Sequence, residues 1–202
     1  MIKYSIDAAL KSGVFERVIV STDSAQIAEI ASHYGAEVPF VRPENLAIDT
    51  IPMMPVIRHA LTEIGSVDYA ACIYATAPLL LPSQLIDAYE LLRRSPEADF
   101  VLPVTEFDYA PQRALCTKDG FLRFVFPENM LARSQEFEGT MHDAGIFFLG
   151  RKASFFAYDS ALDSRCLPLQ IPRLQAIDID TQEDWELAEA LFMQGRNRDA
   201  TG

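Results

Sequence analysis

The chain has 202 residues, half of them hydrophobic, and a formal net charge of −12 at pH 7. That is apolar material for one α/β domain with an ordinary core, and an acidic balance without a basic cluster argues against a nucleic-acid partner. No apolar run approaches the ~20 residues of a membrane helix, the start lacks a signal-peptide profile, and Cys72, Cys116 and Cys166 are isolated, so a cytoplasmic protein with reduced thiols and no membrane partner is expected.

The first expected element is a helix with Ile2, Ile6, Ala9 and Leu10 on one face and Gly13 as its C-cap. Phe15 to Val20 contains a V-I-V run suited to a strand covered on both faces. Thr22 or Asp23 is expected to cap a helix from Ser24 to Tyr34 that stops at Gly35. Val38 to Val41 reads as a second short strand and Arg42 to Ala47 as a loop. Met54 to Ile64 is amphipathic, and Tyr69 to Tyr74 is a buried strand running into Ala75-Thr76-Ala77-Pro78. Ser83 is expected to cap a helix from about Gln84 to Arg94, before a strand at Phe100 to Val104. This alternation predicts a wound, parallel sheet.

From Arg113 to Arg133 the pattern is less regular, with a turn signal at Lys118 to Phe121 and a loop from Phe126 to Asn129. A small excursion from the sheet, around residues 106–142 of a single 1–202 domain, is expected there. Gly145 to Leu149 reads as a strand, Lys152 to Tyr158 as a short helix, and Cys166 to Ile171 as a last hydrophobic stretch.

Ala176 to Leu191 organises the rest. Ile177-Asp178-Ile179-Asp180 alternates with period two, then Leu187, Ala190 and Leu191 fall at helical spacing. Thr181 is placed to cap that helix, with Asp184 three residues on. Helix formation does not require two carboxylates on one face at a strand's carboxyl end, where open α/β sheets bind ligands. Asp178 and Asp180 are either solvated strand-end acids or a Mg²⁺ site, since like charges held together favour a cation, and Mg²⁺ needs few protein carboxylates beside phosphates and water.

Several stretches together resemble the acylneuraminate cytidylyltransferases: R-V-I-V-S-T-D at Arg17 to Asp23, Y-G-A-E-V-P-F-V-R-P at Tyr34 to Pro43, I-Y-A-T-A-P at Ile73 to Pro78, H-D-A-G at His142 to Gly145 and I-D-I-D-T at Ile177 to Thr181. Within that family, I-Y-A-T-A-P and F-P-E-N-M-L-A-R-S-Q, Phe126 to Gln135, most resemble the branch that acts on pseudaminic acid. The resemblance implies a Rossmann-like, three-layer nucleotidyltransferase fold with a mostly parallel sheet. It implies a homodimer formed through the excursion, and transfer of CMP from CTP to an acidic nine-carbon (nonulosonic) sugar with release of pyrophosphate. Asp178 and Asp180 match the family's catalytic and metal-binding pair. Arg42 and Asp23 match nucleotide-contacting segments, and Tyr74, Thr76, Arg133, Gln135, His142 and Asp143 lie in segments implied to hold the sugar. Arg42 and Arg133 read equally as surface arginines, Thr76 as a turn residue, and one of His142 and Asp143 as lining a pocket while its neighbour points away.

The chain also departs from the family pattern. The family's opening strand and A-R-G-G-S-K-R-I-P-x-K-N phosphate loop have no match here, so Val18 to Val20 is expected to lack a central neighbour and the hold on CTP to be weak. Tyr74 stands where many members have glutamine. Ile146 to Leu149 reads I-F-F-L where the branch has Q-F-Y-W, which admits another nonulosonic acid such as legionaminic acid as substrate. A second reading of these departures is a catalytically silent dimeric partner that keeps the sugar-binding half.

Overall fold

Helix α1 (Ile2–Ser12) ends as expected at Gly13, whose φ of 66° is the left-handed conformation that a residue without Cβ adopts at little cost. Helix α2 (Ala25–His33) is capped by Ser24 rather than by Thr22 or Asp23. The Ser24 hydroxyl accepts from the Ile27 N–H at 3.3 Å, while the Thr22 hydroxyl accepts from the Ser24 N–H at 3.1 Å and closes the preceding turn. Helices α3 (Met53–Glu63) and α4 (Pro82–Arg94) follow. α4 starts one residue before Ser83, because proline at the first helical position needs no partner for an N–H and the Gln84 side chain accepts from the Leu81 N–H at 2.9 Å. Helices α5 (Lys152–Ala157) and α6 (Gln182–Asp199) complete the set in this computed structural model, which describes residues 1–133 and 137–199.

The strands are β1 (Tyr69–Ile73), β2 (Phe100–Glu106), β3 (Leu115–Lys118), β4 (Phe121–Phe124), β5 (Met141–Asp143), β6 (Phe147–Arg151) and β7 (Cys166–Gln170). β6 lies between β1 and β2, and β7 runs along the far edge of β2. Among the described residues only the β2–β7 ladder is parallel; β1–β6, β2–β6 and β2–β5 are antiparallel. The ladders are therefore mainly antiparallel, against the sequence expectation. β6 continues β5 in the same direction across Ala144–Ile146, so both run against β2, and β1 on the other side of β6 is antiparallel to it. β1, β2 and β7 still share one direction.

Three other expected strands do not form among the described residues. Val18–Val20 makes one parallel bridge, Ile19 to Glu37, fastened by the Arg17–Glu37 ion pair at 2.7 Å, and has no second ladder partner among the described residues. Among the described residues Val38–Val41 joins no sheet, and Ile177–Asp180 passes without a ladder partner into α6.

The sheet is covered on both faces. Leu85, Ala88 and Leu92 of α4, with Ala8 and Ala9 of α1, pack over Val101, Phe147 and Leu149. Met54 and Leu61 of α3 and Phe155 of α5 pack on the other face against Phe100, Leu102 and Phe148. Each such buried Val, Leu, Phe or Met side chain contributes about 1.5–3 kcal/mol. The hairpin β3–β4 stands off the main sheet, turning through Asp119 (φ 53°) and Gly120 (φ 79°) as its turn signal predicts. No helix among the described residues is long and apolar enough to cross a membrane.

Candidate active site

Because β1, β2 and β7 point the same way, their carboxyl ends share one edge of the sheet, where α/β folds place ligands. Tyr74 follows β1 and Asp143 ends β5 opposite Val104. Asp178 and Asp180 follow β7 across a short 3-10 turn at Arg173–Gln175.

A distortion of the sheet sharpens this edge. On β2, Val104 faces Asp143 while Val101 faces Leu149. Three steps on β2 thus span six on its partner, so Ala144–Ile146 bulges out of the ladder. The bulge is pinned at both ends: the Ala144 N–H donates to the Pro103 carbonyl at 3.0 Å, and the Tyr74 N–H donates to the Ile146 carbonyl at 2.9 Å. Ala144 and Ile146 are buried. Gly145 between them has φ 65°, and its N–H donates to Asp143 Oδ1 at 2.8 Å. A Cβ placed on Gly145 would sit 3.1 Å from both Cγ and Oδ2 of Asp178.

These groups feel each other electrostatically. Burial, then the charges of Asp180 and Asp143, push the Asp178 carboxyl above its ordinary value. Burial, followed by Asp143, Cys72 and Asp178, raises the Tyr74 phenol. The Cys72 thiol is pushed up to about 12 by burial, with Arg42 opposing; it stays protonated and is no nucleophile at neutral pH. Below the acidic pair, Thr181 caps α6 as its spacing predicts: Thr181 N–H and Oγ1 donate to Asp184 Oδ2 at 2.8 and 2.7 Å, and the Asp184 N–H returns a bond to Thr181 Oγ1 at 3.2 Å. The Thr181 hydroxyl and these backbone donors hold the Asp184 carboxyl below its usual range.

The remaining candidates divide between the edge and its surroundings. Arg42 is tied to the turn that carries Asp23: its Nε donates to Ser21 Oγ at 3.1 Å, a second guanidinium nitrogen donates to the Ser21 carbonyl, and its own N–H donates to the Thr22 carbonyl at 2.9 Å. Thr76 and Asp23 are exposed. His142 and Asp143 diverge, as neighbours on a strand must. Asp143 faces Gly145 and the carboxylates, whereas the His142 ring packs on Phe107 with centroids 4.7 Å apart, toward the excursion. Arg133 is exposed, and Gln135 lies outside the described residues. Ile146 to Leu149 is buried, each residue at most 6% exposed, so the departure from Q-F-Y-W falls in the core. Two residues were missed from sequence: Ser21, which anchors Arg42, and Gly145, whose signal was the glycine of H-D-A-G.

Asp178 and Asp180 offer an all-oxygen, acidic donor set in which ionisation of one opposes the other, and that set fits a hard divalent cation completed by phosphate and water oxygens. Among the described residues no group of three or more His, Cys, Asp or Glu side chains is arranged to hold a metal.

The fold is that of the nucleotidyltransferases. The structure superposes on a CMP:2-keto-3-deoxy-manno-octonic acid synthetase solved with CTP at a TM-score of 0.68, covering 96% of this chain and 88% of that one at 13% identity. A family model described as cytidylyltransferase matches residues 1–117. The chain is 36% identical over 197 residues to the pseudaminic acid cytidylyltransferase of Campylobacter jejuni strain NCTC 11168, covering 95% of this chain and 84% of the relative. It is 28% identical over 202 residues to the CMP-N,N'-diacetyllegionaminic acid synthase of Legionella pneumophila, with 95% and 84% covered. The chain belongs to the cytidylyltransferase family, a class of nucleotidyltransferase enzymes.

Proposed function

We propose that this cytidylyltransferase transfers CMP from CTP to a nonulosonic acid, with pseudaminic acid as the preferred sugar, and releases pyrophosphate in the cytoplasm. The observation that carries the reading is the placement of Asp178 at the edge formed by the carboxyl ends of β1, β2 and β7, against Gly145 and within the influence of the Asp180 and Asp143 charges. The 36% identity to a relative named for this activity supports the choice of sugar.

The anomeric hydroxyl of the sugar attacks the α-phosphorus of CTP. A new P–O bond forms as the bond to the β-phosphate breaks, and the hydroxyl proton leaves to solvent or a phosphate oxygen. Such a reaction asks the protein mainly for positioning and neutralisation of charge. Asp178 and Asp180 would hold Mg²⁺, which supplies charge neutralisation at the phosphate oxygens. Arg42, held by Ser21, presents its guanidinium beside the Asp23 turn as a nucleotide contact. Tyr74, Thr76 and Asp143 line the sugar side of the edge. Arg133 meets the sugar carboxylate, a group suited to a guanidinium fork, His142 supports that side through Phe107, and Gln135, outside the described residues, is assigned to the sugar by the resemblance alone.

A homodimer through the excursion accounts for the hairpin's exposed apolar residues Leu115, Phe121 and Leu122, which are 53%, 64% and 68% exposed. The test is pyrophosphate release from CTP and Mg²⁺ with pseudaminic, legionaminic or N-acetylneuraminic acid as acceptor. The expected result is the highest kcat/KM with pseudaminic acid. A protein that binds pseudaminic acid yet releases no pyrophosphate with any acceptor would instead be the silent partner.

A further inference from the structure

We infer that Gly145 is a positioning residue for Asp178: the bulge at Ala144–Ile146 exists in order to bring a residue without a side chain against that carboxylate. The inference rests on the reading of Asp178 as a Mg²⁺ ligand. Its support is geometric. The backbone on either side of Gly145 is fixed, by the Ala144 bond to Pro103 and the bond from Tyr74 to Ile146, with both flanking side chains buried. Gly145 itself takes φ 65° and presents its Cα to Asp178, where an added Cβ would lie 3.1 Å from Cγ and Oδ2 and 3.3 Å from Cβ. Contacts that short require something to move. The pinned bulge cannot, whereas Asp178 lies on a stretch without a ladder partner, so the carboxylate moves. The same glycine orients a second acid, since its N–H holds Asp143 Oδ1 at 2.8 Å. One residue thereby fixes the spacing of two of the three carboxylates on the edge.

Gly13 provides an internal control. It has nearly the same φ, 66°, but nothing lies within 4 Å of a Cβ built there. Gly13→Ala therefore imposes the backbone strain of a side chain at positive φ without touching the site, and Gly145→Ala imposes that strain together with displacement of Asp178.

The experiment measures Mn²⁺ affinity in the presence of CTP by electron paramagnetic resonance, alongside melting temperature, for the wild type, Gly145→Ala, Gly13→Ala, Asp178→Asn and the Gly145→Ala/Asp178→Asn double variant. Gly145→Ala is expected to weaken Mn²⁺ binding about 10-fold, the scale on which misplaced ligands lose metal, and Gly13→Ala to leave it unchanged at a comparable fall in melting temperature. In the double variant the glycine substitution should add nothing to the loss caused by Asp178→Asn, because it acts through that side chain. Equal losses in Gly13→Ala and Gly145→Ala, or independent losses in the double variant, overturn the positioning role. Should Gly145→Ala fail to fold, Asp178→Glu, which moves the carboxylate by one methylene with the glycine intact, must give a similar weakening for the inference to stand. If Asp178→Asn itself leaves Mn²⁺ affinity unchanged, the metal reading of Asp178 and the inference built on it both fall, whereas an effect of Asp178→Asn with none of Gly145→Ala removes the inference alone.

Discussion

The carboxylate edge and the β3–β4 hairpin are built on opposite terms. At the edge, polar groups gather on fixed backbone: Asp143 on the Gly145 N–H, Asp178 against the Gly145 Cα, and Tyr74 on the carbonyl of Ile146. In the hairpin every residue of β3 is exposed and apolar side chains face solvent. The first region concentrates like charges that a cation would relieve; the second concentrates apolar surface that another protein surface would cover. Charge stress marks a small-ligand site and uncovered hydrocarbon marks an interface, so each region should respond to a different kind of substitution.

The largest expected effect is at the edge. Asp178→Asn should lower pyrophosphate release by at least ~100-fold while leaving the oligomeric state unchanged by light scattering. In the hairpin, Leu115→Glu with Leu122→Glu, on one face of β3–β4, should convert the proposed dimer to a monomer that keeps its Mn²⁺ affinity, since two charges would be buried without partners in the interface. A variant that stays dimeric would break the assignment of the hairpin. Thr181→Ala should have a smaller effect, lowering the melting temperature by a few degrees through loss of the α6 cap.

The smallest effect is a pH dependence. The Asp178 carboxyl is raised above its ordinary value, so the metal-free folded protein binds that proton more tightly than the unfolded chain. Stability from this group is thus present at low pH and lost as pH rises through the window just above the ordinary carboxylate value of about 4. Asp178→Asn should remove that slope and slightly raise the melting temperature of the metal-free protein at neutral pH. Adding Mg²⁺ should stabilise the wild type but not the variant.

Much of this was legible in the sequence where the signal was local. Gly13 as a C-cap, the Asp119-Gly120 turn and the reciprocal Thr181–Asp184 cap are encoded within a few residues and fall where expected. Strand direction is not local: Phe147–Leu149 reads as a buried strand whichever way it runs, and it is antiparallel because it continues β5, which already runs against β2. Val18–Val20 and Ile177–Asp180 have strand-like patterns, yet a strand also needs a partner ladder, which no pattern within the segment supplies. The acidic pair was visible as two carboxylates two residues apart. The glycine that seats one of them was not, because its importance lies in the approach of Asp178 from 33 positions along the chain. Similarly, Ile146 to Leu149 looked like a substrate-specificity difference until burial assigned it to the core.

The most direct test of the account is formation of a CMP–pseudaminic acid conjugate, detected by mass spectrometry, from CTP, Mg²⁺ and pseudaminic acid by the wild type and by Asp180→Asn. The account predicts product with the wild type and a loss of at least ~100-fold with Asp180→Asn, at unchanged fold by circular dichroism. Equal product from both proteins would contradict the placement of the catalytic metal site at the carboxylate edge.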